Sequence, residues 1–213
     1  MKTLKHILVM VLLAFIVIPA SAQGKVKNKD FKTKLKYAKK EAKEYEKQGW
    51  YVAPGDLPLE KQLENSYSKA LETDDYGYEK YVTASGNALA GTQSAAKLQA
   101  TELAKLEIAS AMESQIAATI DNQVANNQIN QEEAATLQKT VAAAKSIIAT
   151  KMGRTIGLVE MYRKNEKTKN IECQVTIGYS AEMAKQMALQ AMKESLQDEA
   201  NIASDKLDKL LDF

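Results

Sequence analysis

The segment Ile171–Tyr179 (IECQVTIGY) alternates without a break, with Ile171, Cys173, Val175, Ile177 and Tyr179 on one side and Glu172, Gln174, Thr176 and Gly178 on the other. Side chains of a strand repeat every two residues, so this pattern specifies a strand whose apolar face must be covered. Just before it, Thr155–Arg163 (TIGLVEMYR) is rich in β-formers, and the polar loop Lys164–Asn170 (KNEKTKN) joins the two. Together they read as a β-hairpin. An isolated hairpin is marginal in water, so the helical stretches around it must supply the cover.

Those stretches are long. In the alanine-rich run Thr92–Val124, Ala100, Ala104, Ile108, Ala111, Met112 and Ala118 share one face, with Leu103 and Ile116 on its shoulders. Small residues on that face admit a close neighbour. The polar stretch Asn122–Ile129 turns the chain, and Asn130 with Glu133 three residues on makes a capping box. From it runs a helix with Ala134, Leu137, Val141, Ala144 and Ile148 inward, ended by Gly153. The two helices read as an antiparallel helical hairpin. Ser180 caps a last helix carrying Ala184, Met187, Ala188, Ala191 and Met192, and Ile202, Leu207, Leu210 and Leu211 space as a further amphipathic turn or two. Ser66–Thr73 and Tyr78–Ala90 read as a second hairpin around Asp74-Asp75-Tyr76-Gly77. Those acids suit a β-turn better than a calcium loop, which needs ligands at alternating positions and a closing Glu. The expectation is an α+β domain over residues 66–213. It has an antiparallel sheet of about four strands in two hairpins, with the helical hairpin and the C-terminal helix on one face.

Residues 23–65 differ in character. Gly24–Gln48 holds ten lysines against Asp30, Glu41, Glu44 and Glu46. The early lysines alternate, which is not a helical spacing. From about Asp30, however, Phe31, Leu35, Ala38, Ala42 and Tyr45 recur at steps of four and three, and Gly49 is a stop. The lysines of this amphipathic helix, Lys32, Lys36, Lys39, Lys40 and Lys43, are candidates for holding anionic lipid or glycan, against the plainer reading of a solvated face. The connector that follows is Pro- and Gly-rich. Its Trp50 and Tyr51 complete the candidate surface or form a lid packed on the core. Pro58 opens a short helix over Leu59–Glu64.

Residues 1–22 have the order of a secretory signal: basic Lys2, Lys5 and His6, the apolar run Ile7–Ile18, then Pro19-Ala20-Ser21-Ala22. Twelve apolar residues fall short of the ~20 that cross a bilayer. Cleavage after Ala22 is expected, and no cysteine stands at the cut to carry lipid. It removes Lys2, Lys5 and the one histidine, and leaves basic and acidic residues equal at 27 each. A neutral chain argues against nucleic acid, which is held by basic excess. Without histidine there is no His-based general base, and one cysteine excludes an internal disulfide or a multi-cysteine metal site. Cys173, on the apolar face, reads as a small buried hydrophobe. No glycine-rich phosphate loop is present, and Ser66-Tyr67-Ser68-Lys69 has the Ser-x-x-Lys spacing without its usual companions. The expectation is no catalytic residue, no cofactor and no metal.

Tyr81-Val82-Thr83-Ala84-Ser85-Gly86 leads into Ala95-Ala96-Lys97, Ala100 and Ala104, with a later hairpin and closing helix. Over Tyr81–Leu196 this arrangement resembles the Lpp-twenty-type bacterial envelope lipoproteins and the N-terminal domain of flagellar assembly protein T. The likeness is one of pattern, without a catalytic motif. It implies a compact module that works by assembly at the envelope, although the lipid-bearing cysteine is missing and outer-membrane anchoring does not carry over. Gly49–Gln62 (GWYVAPGDLPLEKQ) resembles exported bacterial proteins and implies no activity. Two readings follow. One is a non-catalytic exported protein, periplasmic or outer-membrane associated, that binds an envelope protein or itself. The other is a surface-binding protein that uses its lysine-rich helix.

Overall fold

The computed structural model describes residues 20–126 and 129–197, the side chains of 20–32, 193 and 195–197 excepted. The apolar leader Ile7–Ile18 and the tail beyond Ala200 lie outside the described residues. The chain runs α1 (Ala20–Lys47), α2 (Leu59–Ala70), β1 (Tyr81–Ala90), α3 (Gln93–Ala125), α4 (Gln131–Lys151), β2 (Ile156–Lys164), β3 (Ile171–Ser180) and α5 (Ala181–Gln197). The class is α+β. The sheet has the order β1-β3-β2, antiparallel at both junctions, so the alternating segment is its central strand. β2 and β3 form the expected hairpin, while β1 and β2 run parallel on either side of β3, joined through α3 and α4.

Among the described residues, three strands stand where about four were expected. Ser66–Ala70 closes helix α2, and Thr73 and Glu79 make only an isolated bridge before β1 begins at Tyr81. The cause is tertiary. Leu59 and Leu63 are buried, and Tyr67, one step of four further, packs against the same cluster and donates its hydroxyl to Glu41 of α1. A helix that satisfies those contacts overrides weak local strand preference. The turn itself is as expected: the Asp74 carboxylate accepts from the Tyr76 and Tyr78 amides at 2.9 Å, and Gly77 takes φ +92°. Helix α1 also starts at Ala20 rather than near Asp30. Lysine is a good helix former, so an alternating lysine run need not interrupt a helix.

The helical hairpin and the C-terminal helix cover one face, as expected, and a second face is covered as well. The register sets Val82, Ala84, Gly86, Ala88 and Ala90 against Tyr179, Ile177, Val175, Cys173 and Ile171, and this face joins the main core with α3, α4 and α5. Val159 and Met161 of β2 point the other way, into a second cluster with Ala38, Ala42, Trp50, Leu59 and Leu63. The sheet is therefore partly sandwiched, with α1 and α2 over its β2 side.

Helix α3 binds the layers together. Ala96, Ala100, Ala104, Ile108, Met112, Ile116 and Ile120 are its buried residues at every fourth position. In a helix of 3.6 residues per turn, each step of four advances the stripe by ~40°. The stripe thus faces the sheet first and the other helices later, where Glu113 pairs with Lys145 at 3.2 Å and Asp121 accepts from Gln138 at 2.9 Å. This drift leaves Leu103 43% exposed, Ala111 half-buried and Ala118 exposed, where a straight stripe had placed them inward or on a shoulder. Early in the helix the approach to β1 is very close. A Cβ on Gly86 would lie 2.0 Å from the Ala100 carbonyl oxygen and 2.6 Å from the Ala104 nitrogen.

Two caps fall where the sequence put them: Asn130 and Glu133 form the reciprocal capping box, and Ser180 accepts from the Met183 amide at 3.3 Å. The structure adds a third, Thr92, which accepts from the Ala95 amide at 3.2 Å.

Candidate functional site

Lys36, Lys39, Lys40 and Lys43 are all exposed along α1, whose opposite side buries Ala38 and Ala42. Lys32 lies in the same helix, with its side chain outside the described residues. Among the described residues, Lys36, Lys39 and Lys43 enter no ion pair. At the end of the helix Lys47 bonds Glu44 at 2.9 Å, which, with help from Lys40, holds the Glu44 carboxyl below its ordinary value.

Trp50 separates from this group. α1 ends in a Schellman motif: Gly49 takes φ +85°, its amide bonds the Glu46 carbonyl at 3.0 Å, and the Trp50 amide reaches back to Tyr45 at 3.0 Å. The hydrophobic contact that goes with that motif is Trp50 edge-on to Tyr45, with centroids 6.3 Å apart. Trp50 is 5% exposed, inside the second cluster, so it forms core and not an open binding surface. The Arg163 guanidinium lies 4.7 Å from its ring centre and donates twice to one Glu172 oxygen, at 2.7 and 3.0 Å. Asn87 of β1 donates to the other Glu172 oxygen at 3.0 Å, and Ser85 bonds Thr176 at 2.7 Å. A polar belt thus crosses all three strands on this face. Burial raises the Glu172 carboxyl, but the bonds from Arg163 and Asn87 and the guanidinium charge outweigh it and hold the group below its usual value.

Tyr51 is 40% exposed and works through its backbone. Its N–H and C=O exchange two 2.8 Å bonds with Tyr162, which stacks nearby at 6.1 Å. Buried Gln62 of α2 accepts from the Glu160 amide and donates to the Leu57 carbonyl, both at 2.7 Å. The outer row of β2 is therefore occupied at Glu160 and Tyr162, its register shifts between Gly157 and Val159, and it carries Glu160, Arg163 and Lys164. β1 has none of these devices. Tyr81–Ala90 is uncharged and keeps an unbroken register. Among the described residues, its outer row makes no hydrogen bond. Sequence reasoning did not single out this edge, because only the strand order shows β1 to be outermost and only the structure starts it at Tyr81, past Glu79 and Lys80.

Other clusters are closed on themselves. Glu160 takes the Tyr162 hydroxyl at 2.5 Å and Lys97 at 2.7 Å beside Cys173, whose thiol is pushed by burial up to about 11. A cleft of about 680 Å³ opens between the starts of β1 and α5 and the middle of α3. Its floor includes Val82, Met112, Ile116 and Ala188, and its Lys80 pairs with Glu72 at 3.6 Å. Among the described residues, no three His, Cys, Asp or Glu side chains are grouped to hold a metal ion, and no helix is long and apolar enough to cross a membrane. Comparison with protein-family models, curated proteins and solved structures finds no match to this chain.

Proposed function

We propose that the chain is an exported envelope protein, without catalytic activity, that acts as a protein-interaction or assembly module. The observation that carries this reading is the contrast between the two sheet edges: β2 is occupied and charged, β1 open and neutral. Strands left in that state pair with other chains. Export rests on the basic start, apolar run and Ala-x-Ala site of residues 1–22. The test is crosslinking in intact cells, followed by purification of the envelope fraction. A specific partner or a defined oligomer supports the module. A chain that stays monomeric and recovers no envelope protein overturns it.

A second reading is favoured by the exposure of Lys36, Lys39, Lys40 and Lys43 on a helix whose apolar side is already buried. Such a face holds an anionic lipid or glycan surface by charge alone, at about 1 kcal/mol per lysine on a membrane. Deleting α1 would also strip Ala38 and Ala42 from the core, so charge reversal of the four lysines is the cleaner test. Salt-sensitive binding to anionic vesicles that survives reversal excludes this reading.

A further inference from the structure

We infer that β1 is a docking edge for an extended peptide segment of another protein, added as a fourth strand beneath the overhanging side of α3. The inference rests on the interaction-module reading and names the partner's chemistry. Its first ground is the outer row of Tyr81–Ala90, unoccupied among the described residues. A second ground lies on α3. Lys97 reaches Glu160 of β2 at 2.7 Å, so its side of α3 faces across the sheet. Leu103 lies ~120° around the helix from Lys97, on the other side of the stripe that faces the sheet. It therefore flanks the open edge, and it is 43% exposed. Leu103 also stands close over β1, its Cβ 3.0 Å from the Cβ position of Gly86. The edge thus combines unpaired main chain with an apolar shelf on one face, while Ser85 and Asn87 present polar groups on the other.

The same geometry decides against a second copy of this chain. The Gly86–Ala100 contact sets α3 directly over β1. Pairing β1 with its own copy about a two-fold axis would bring two α3 backbones to about one strand spacing, ~4.8 Å, whereas packed helices need about 8–10 Å. A bare strand with no helix above it fits. It carries apolar residues at alternate positions on the side of Leu103, small or polar residues between them, and no charge in the paired stretch, since β1 offers none to balance it.

The probe is a fluorescein-labelled peptide of alternating valine and threonine, as long as β1 and ended by lysines. Its control carries proline at alternate threonines and so lacks the donating amides. With the purified chain, the valine–threonine peptide should raise anisotropy saturably and slow amide exchange in residues 81–90, and the proline control should do neither. Leu103→Lys should weaken binding about tenfold or more at an unchanged thermal midpoint, and Leu106→Lys, on the far side of α3, should leave it unchanged. Absence of binding, or protection confined to another segment, overturns the inference. So does a concentration-dependent dimer that Leu103→Lys dissolves, because a second copy would then fit. A cellular partner crosslinked elsewhere while the edge stays silent would leave the module reading standing and remove this one.

Discussion

Gly86 and Ala100 meet backbone to backbone, with no room for a side chain on the strand between them and the helix above. Gly86→Ala must push α3 off β1 or bend the strand, so a loss of about 1–3 kcal/mol or more is expected from overpacking. Gly178→Ala is the comparison. Its new Cβ would meet Leu158 Cδ1 at 3.2 Å, the tip of a flexible side chain, and should cost less. Urea midpoints of the two variants, at equal slope, check the order.

Trp50 is the only tryptophan, so its fluorescence reports the second cluster alone. Emission should be blue-shifted and poorly quenched by acrylamide. Trp50→Ala should cost about 3–5 kcal/mol, as a large buried ring lost from a packed site does. Arg163→Lys should cost less while relaxing the quenching protection, because lysine lacks the planar group that stacks on the ring and bonds Glu172.

Glu172 sets an acid limb of stability. Its folded value lies below the unfolded value near 4.5. The carboxylate therefore contributes fully above that pH, and its contribution is lost as pH falls through the folded value. Glu172→Gln should flatten this part of the curve. Unfolding free energies of both forms between neutral pH and pH 3 provide the check; an unchanged acid limb would refute the assignment.

Cys173 should resist aqueous thiol reagents in the folded chain at pH 8, being fully buried with its thiol pushed up to about 11. Labelling should rise to one equivalent in denaturant. Rapid labelling of native protein would show that the core opens locally at β3.

Much of this architecture was legible because the code was local. The alternation of Ile171–Tyr179, the Asn130–Glu133 box and the Gly49 stop each need only a few neighbouring residues to be read. Ser66–Ala70 was not legible in that way: its helix is fixed by Leu59, Leu63 and Tyr67 meeting α1, a contact between distant segments. The second covered face was missed for a related reason. Val159 and Met161 face away from the main core in a strand that is apolar on both sides, a signal that two layers enclose it. In the candidate site, the exposed lysines followed from helical period, whereas Trp50 was drawn inward by the Schellman turn and Arg163. The open β1 edge depended on knowing which strand took the middle.

That middle strand comes last. β3 occupies residues 171–180, between two strands that precede it in the chain, so neither β1 nor β2 has its sheet neighbour until it arrives. A chain emerging from the ribosome can form α3 and α4 early but cannot close its sheet until residues 171–180 have been made. Formation of the sheet is thus deferred by topology alone.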